Sequence, residues 1–227
     1  MNIFRYVVRY DGGSAPRPYG GICTLAICKP MIRRSASIGD WIIGVRSRAP
    51  DRVIYVMQVS EVVPFAQYWS DPRFIGRRTG ASPVPDNIYR PDAHGELVQV
   101  PNPIHDQTAT TTDLSGQNVL IGQRFWYFGS ESPMLPTDLI HLVPYPRGHS
   151  VHVNRKNDDV QNLKLWLAAW PCGIHGVPVE ATGELLSWLE NSASLVENRF
   201  AQTVSKCAMP ATGKKPAAQK SSSKCSR

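Results

Sequence analysis

Three cations lie close together in the segment CKPMIRR, and their chemistry suits a phosphate group. An arginine guanidinium can bind two phosphate oxygens through its planar fork, and a lysine adds a point charge. Such contacts hold and orient a nucleic acid without reading its bases. We therefore predict that Lys29, Arg33 and Arg34 bind phosphate at the rim of a groove. The alternative is a solvated basic loop.

Aromatic and polar side chains that could contact a base follow further along the chain. A base turned out of a duplex is stacked between flat or apolar groups and is probed along its pairing edge. Several such residues lie between positions 69 and 89, and the PRGH motif adds an arginine and a histidine beside a glycine that permits close backbone approach. The predicted base- or nucleotide-binding residues are Trp69, Arg73, Asn87, Tyr89, Arg147 and His149.

Catalytic residues cannot be assigned from the sequence pattern. A Cys23 nucleophile paired with a histidine such as His149 is chemically feasible, but a small buried thiol is the alternative for Cys23. His105 and Asp106 are neighbours in the chain, and chain neighbours rarely face one site together. The five cysteines show no metal-ligand spacing, and the chain has no P-loop or dinucleotide fingerprint. We therefore expect neither a metal nor a cofactor.

The charge of the chain is distributed unevenly. Residues 1–80 contain 12 Lys and Arg against 5 Asp and Glu, whereas residues 81–205 contain 7 against 13. Residues 206–227 contain 6 basic and no acidic residues. A basic first third and a basic tail predict contact with a polyanion, and the tail would add salt-dependent affinity without specificity. An unstructured terminus with no role is the alternative for the tail.

The secondary structure needed to position these residues is only partly visible in the sequence. Alternating apolar residues predict a strand over residues 3–10, and runs rich in Ile, Val, Tyr and Trp predict strands over 39–47, 52–63 and 118–129. Residues 75–115 show weak periodicity. An irregular stretch of that length in a compact domain is usually functional or disordered.

The C-terminal third is expected to be helical before it becomes disordered. The segment NDDVQNLKLWLAAWPCG has the acidic start and the Pro-Cys-Gly end of a capped helix. Residues 177–204 predict one or two amphipathic helices. After Lys206 the chain has too little apolar surface to fold. No apolar run is long enough to span a membrane, and no secretion signal opens the chain, so we expect a cytoplasmic protein with no membrane partner.

Longer motifs resemble known families. A Gly-Asp pair that opens a strand, followed by a turn and a strand ending in VSEVV, resembles the small β-barrel of PUA, ASCH and EVE domains. The opening segment YVVRYDGGSAPRPYGGICTLAICKPMIRRSASIGDWIIG resembles the nucleotide-modification-associated domain, type 2. The motifs YWSDPRF, PDNIY, RFWYFGS and PRGH follow in that family's order. The resemblance covers about residues 1–150, and it implies a role with modified nucleotides in phage and bacterial modification systems.

Together these observations predict an α+β protein: a PUA-like mixed β-barrel with short helices over residues 1–150, a helical extension over 151–205 and a disordered basic tail over 206–227. The predicted function is recognition of a modified base or nucleotide in DNA. One alternative is a transferase or hydrolase that modifies nucleotides. Another is an interaction module that uses the helices of 177–205 to bind other proteins of a modification or defence system.

Overall fold

The protein is described by a computed structural model that covers residues 1–143, 149–153 and 158–191. The strands are β1 (Asn2–Val8), β2 (Cys23–Leu25), β3 (Trp41–Arg46), β4 (Val53–Gln58), β5 (Glu61–Pro64), β6 (Tyr89–Pro91), β7 (Leu97–Gln99), β8 (Asn118–Gly122), β9 (Arg124–Tyr127), β10 (His149–Val153) and β11 (Gly173–Ile174). The α-helices are α1 (Pro30–Ser35), α2 (Phe65–Ser70), α3 (Thr110–Leu114) and α4 (Asp158–Leu167). Short 3-10 helices span Pro72–Arg77, Gln107–Ala109, Gly129–Glu131 and Thr137–Leu142, and residues 183–191 are helical.

The largest sheet has six strands in the order β10-β1-β3-β4-β9-β11. Strand β1 pairs in parallel with β3 and antiparallel with β10, while β3, β4 and β9 form an antiparallel run. Both faces of the central strands are apolar. As a result, Trp41, Ile42, Ile43 and Val45 of β3 are all fully buried, as is typical of a sheet covered on both sides.

A smaller sheet, in the order β2-β8-β5, is joined to the first by two tight corners. Strand β4 passes into β5, and β8 passes into β9 after a single residue. The second corner is tight because a Cβ on Gly122 would lie 3.0 Å from the carbonyl oxygen of Gln58. The runs 52–63 and 118–129, each predicted as one strand, therefore each form two strands in different sheets.

The hydrophobic core fills both sides of the large sheet and the outer face of the small one. Helix α4 covers one face of the large sheet with Val160, Leu163 and Leu167, which pack with Trp41 and Trp126. A second cluster lies between the two sheets. A third packs α2 and β6 against the small sheet. The small sheet and its covering elements carry the residues of the site described below.

The structure confirms the α+β class but not the predicted barrel. Over residues 1–143, 149–153 and 158–191 the strands form two open sheets and the hairpin β6–β7, with no closed barrel. The barrel expectation fails because the predicted long strands bend from one sheet into the other instead of continuing around a cylinder. The helix expected from the NDDVQ segment is present as α4.

Three further expectations concern the domain boundary, the tail and the membrane. The predicted domain boundary at residue 150 falls inside β10, which pairs with β1. The tail from residue 206 lies outside the described residues. Among the helices that the structure describes, none is long and apolar enough to cross a membrane.

Candidate functional site

A cleft of about 1000 Å³ opens beside the chain that leaves β2. Its wall includes the end of β1, the turn at Cys28 and Lys29, the loop 79–84, the loop 103–105 and residues 180–188. Volumes of this size are typical of small-molecule sites. The loops at 79–84 and 103–105 belong to the irregular stretch 75–115 that the sequence marked as functional or disordered, and here they are ordered and line the cleft.

Cys28 is held in an unusual backbone conformation at the edge of the cleft. Its φ is 59°, and the next residue, Lys29, has a φ of 42°, so two consecutive non-glycine residues lie in the left-handed region. Such residues cost free energy and cluster at active sites and ligand clamps. Two hydrogen bonds stabilise this conformation: the backbone N–H of Cys28 donates to Asp113 (2.7 Å), and its carbonyl accepts from Arg33 (2.7 Å).

Cys28, His105 and Asp113 form a hydrogen-bonded relay. The Cys28 Sγ lies 3.4 Å from His105 Nε2, and His105 Nδ1 lies 2.6 Å from Asp113 Oδ2. The thiol is half-buried, the imidazole is 19% exposed and the carboxylate is 2% exposed. A nucleophile beside a base that a third group orients is the arrangement of thiol- and hydroxyl-dependent catalysts.

The elements around the relay explain how distant residues meet. The backbone N–H groups of Ile104 and His105 donate to Asn102 Oδ1, which fixes the turn that presents the imidazole. Asp106 caps the 3-10 helix Gln107–Ala109, which leads directly into α3 and Asp113. The carboxylate that orients His105 is therefore eight residues away in sequence, and the adjacent Asp106 points elsewhere.

The charge state of the relay follows from these contacts. Hydrogen bonding to Asp113 and then to Cys28 raises the pKa of His105 from 6.5 to about 10, against the opposing effect of burial. Burial alone would raise the pKa of Asp113, but hydrogen bonds from His105, Cys28 and Tyr89 bring it below its ordinary value. The pair is thus an imidazolium and a carboxylate at neutral pH.

The same three residues also offer metal-ligand atoms, which lie within 4.8 Å of one another. Thiolate, imidazole and carboxylate are ligand types that zinc accepts. In this arrangement, however, one ring nitrogen of His105 faces the thiol and the other faces the carboxylate. Because both ring nitrogens take part in hydrogen bonds within the cluster, we interpret it as a proton relay. Sequence analysis expected no metal site.

The predicted phosphate-binding residues have three different environments. Lys29 lines the cleft, where its ammonium donates to the Val7 carbonyl (3.2 Å) and lies 4.7 Å from the Tyr6 ring centroid. Burial lowers its pKa. Arg34 is exposed outside the cleft wall. Arg33 is 0% exposed, and a phosphate outside the protein cannot reach it. The structure contradicts the prediction that Arg33 is a surface phosphate ligand. The side chain instead supports the Cys28 turn.

Three of the predicted base-binding residues lie apart from the cleft. Trp69 is covered by the Arg78 guanidinium, 4.0 Å from its ring centroid, and Arg73 forms exposed ion pairs with Glu61 and Asp71. Asn87 is buried, and its amide donates to two backbone carbonyls. These residues lie outside the cleft wall.

Of the remaining predicted residues, Tyr89 supports the relay, and the side chains of Arg147 and His149 are not among those described. Tyr89 is 1% exposed and its hydroxyl donates to Asp113 Oδ2 (2.9 Å), so it stands behind the relay. Arg147 lies outside the described residues. His149 begins β10, and its side chain is not among those described. Cys23, the nucleophile considered from the sequence, is fully buried in β2, where burial raises its pKa.

Sequence reasoning missed the residues that the cleft brings together. Cys28 is the first residue of the segment CKPMIRR, while His105 and Asp113 lie in the irregular stretch 75–115 that was marked as functional or disordered. Aromatic groups also line the opening: Tyr10 is 64% exposed, and Trp188 packs edge-to-face on Tyr19. The irregular stretch itself indicated a functional region, but the contact between Cys28 and His105, 77 residues apart, cannot be predicted from residue spacing.

One wall of the cleft is a segment held by a buried carboxylate. Asp11 is 3% exposed. Its carboxylate accepts from the Tyr127 hydroxyl, which lies 2.7 and 2.8 Å from the two oxygens, and from the Val179 N–H, while its own N–H donates to Glu180. Burial raises the pKa of Asp11 from 3.8 to about 6. Leu185, 1% exposed, anchors the following helix. The helix that was predicted to bind other proteins therefore packs Leu185 against its own chain.

Over residues 1–185 the chain matches the family described as nucleotide modification associated domain 2. This confirms the family resemblance, and the match extends beyond the predicted limit of about residue 150 to include most of the wall held by Asp11. No curated protein and no solved structure matches the chain.

Proposed function

Because the chain belongs to the nucleotide modification associated domain 2 family, we propose that its cleft binds a nucleotide whose base is modified, either free or turned out of DNA. The observation that carries this proposal is a nucleotide-sized cleft that combines cations with aromatic rings. This is the combination that base and phosphate recognition requires.

The phosphate would lie against the basic side of the cleft. Lys29 and Arg9 both line it. The lysine is pre-positioned by its bond to the Val7 carbonyl, so little side-chain entropy is lost when an anion binds. Lys29 thus keeps its predicted phosphate role, and Arg9 replaces the buried Arg33.

The base would lie against the aromatic side. Tyr10 and Trp188 offer ring faces for stacking, and the loop 79–84 supplies polar groups for the base edge. The buried hydroxyl of Ser14 also lines the cleft and has no hydrogen-bond partner among the described residues. A buried polar group of this kind usually has a partner, and a bound ligand would supply it.

The proposal is tested by titrating the full chain with nucleoside monophosphates, and with unmodified and base-modified phage DNA, by isothermal calorimetry. Loss of one base-stacking ring costs about 1–3 kcal/mol, so we expect Tyr10→Ala to weaken binding by about tenfold. Lys29→Ala should weaken it as well, with a reduced salt dependence.

Trp69→Ala is the matched control, since it removes an aromatic ring from the surface first predicted to bind the base. It should leave binding unchanged. If Trp69→Ala abolishes binding and Tyr10→Ala does not, the base site lies on the predicted surface and the proposal for the cleft is wrong. Binding to modified DNA but not to monophosphates would identify the DNA strand as the ligand.

A second candidate function is enzymatic modification of the nucleotide. The specific observation in its favour is the Cys28–His105–Asp113 relay at the wall of the same cleft.

A further inference from the structure

The cleft holds a reactive arrangement that recognition alone does not require. A binding module gains nothing from a half-buried thiol in a strained backbone conformation with a buried carboxylate aligned behind its histidine partner. Strain of this kind persists only where surrounding structure enforces it. Here four groups enforce it, since Asp113 and Arg33 hold the Cys28 backbone while Tyr89 and His105 hold Asp113.

We propose that Cys28 and His105 are catalytic residues, with Asp113 as the positioning residue, and that the Cys28 thiolate attacks the carbonyl carbon of an acyl group carried by the nucleotide in the cleft. This inference rests on the proposed function for the identity of the substrate. The reaction class is acyl transfer to water.

The steps balance with water as the one co-reactant. Sγ forms a bond to the carbonyl carbon as the carbonyl π electrons move to oxygen. When the C=O bond re-forms, the bond to the leaving amine or alcohol breaks, and that group takes the proton from His105 Nε2. Water then attacks the thioester and gives a proton back to Nε2. The C–S bond breaks, which releases the acid and restores the thiolate.

Each group has the position that its role requires. Cys28 and His105 both line the cleft, so a substrate there can reach the sulfur and the Nε2 proton. Asp113 is 2% exposed and does not line the cleft, so it acts through the imidazole of His105 and the backbone of Cys28 and does not touch the substrate. The other charged or titratable groups that act on the thiol are Lys29, Arg33 and Tyr6.

The first test is alkylation of the chelator-treated full chain by iodoacetamide, with tandem mass spectrometry to locate the label. An ordinary thiol is about 0.3% ionised at pH 6. The thiolate is the species that iodoacetamide alkylates, and the Cys28 sulfur lies 3.4 Å from the Nε2 of a protonated His105. We expect Cys28 to react about tenfold faster than N-acetylcysteine at pH 6, and the fully buried Cys23 to remain unlabelled.

The variants separate catalysis from structure. His105→Gln and Asp113→Asn should remove the faster alkylation of Cys28 at pH 6. At pH 9 the rate of alkylation in both variants should stay near that of an ordinary thiol. Asp106→Asn, which changes the carboxylate next to His105 in sequence, should keep the wild-type pH profile. A role in folding alone would not change the profile in this selective way. Circular dichroism checks that each variant is folded.

A second probe tests the reaction class. p-Nitrophenyl acetate should acetylate Cys28 and release nitrophenolate, and Cys28→Ala should lower the release to that of the same ester with the remaining nucleophiles of the chain. The proposal is overturned if wild-type Cys28 reacts no faster than N-acetylcysteine at pH 6, if His105→Gln leaves the profile unchanged, or if Cys28→Ala releases nitrophenolate as fast as the wild type. Neither probe is a nucleotide, so these outcomes are independent of whether the cleft binds one.

Discussion

Replacement of Arg33 tests whether this cation is internal, as the structure places it, or a surface phosphate ligand, as the sequence suggested. Its guanidinium donates to three backbone carbonyls, those of Cys28, Asp113 and Asn118, and lies 3.8 Å from an Asp113 carboxylate oxygen. Hydrogen bonds to a charged donor contribute about 1.5–3 kcal/mol each, and removal of one partner from a buried pair costs about 3–5 kcal/mol.

We therefore expect Arg33→Met to lower the free energy of unfolding by about 4 kcal/mol. Methionine fills much of the same space, so the loss comes from the unpaired carbonyls and the less compensated Asp113. For a chain of this size, 1 kcal/mol shifts the melting temperature by about 2–4 °C, which gives a fall of about 8–16 °C. The measurement is urea unfolding followed by tryptophan fluorescence, with a thermal melt in parallel.

Arg34→Met is the matched control, because the neighbouring side chain is exposed and should change stability by less than about 0.5 kcal/mol. A loss below about 1 kcal/mol for Arg33→Met, or equal losses for the two variants, would refute the reasoning. The same result would return Arg33 to the surface role that the sequence suggested.

Three further predictions follow from individual contacts. Because the pKa of Asp11 is raised from 3.8 to about 6, its protonation stabilises the fold by about 3 kcal/mol below pH 4, and this contribution is lost as the pH rises through 6. In unfolding experiments, Asp11→Asn should remove the decrease in the free energy of unfolding between pH 4 and 6. An unchanged pH dependence in this variant would contradict the role of Asp11. His105 should remain an imidazolium from pH 6 to 8 in nitrogen-detected NMR spectra, and Asp113→Asn should bring its titration into that range; titration near pH 6.5 in the wild type would be inconsistent with the ion pair. Leu185→Ala should cost about 2–5 kcal/mol of packing and make residues 178–191 susceptible to limited proteolysis, whereas wild-type resistance to cleavage in this variant would show that another contact holds the segment.

Local patterns in the sequence were sufficient for individual elements. Alternation identified β1, with Phe4, Tyr6 and Val8 on a buried face, and capping chemistry identified α4. The corners between the sheets were missed because a strand that bends into a second sheet keeps the same apolar composition on both sides of the bend. No propensity distinguishes it from one long strand.

The site depended on long-range contacts that spacing does not encode. The sequence of this short segment does not distinguish a buried cation from an exposed one among its lysine and two arginines. The helix α1 nevertheless turns Arg33 inward and Arg34 outward, since successive positions on a helix face different directions. Cys28 and His105 meet because the segment 102–113 folds back onto the chain that follows β2.

The most direct test of the account is protection of Cys28 by nucleotide. The rate of iodoacetamide labelling of Cys28 would be measured at pH 6 in the full chain, without ligand and with saturating monophosphates or base-modified DNA. We predict that the bound nucleotide slows labelling of Cys28 and that Tyr10→Ala requires more nucleotide for the same protection. Labelling of Cys28 at one rate under all of these conditions would contradict the claim that the cleft holds a nucleotide beside the thiol.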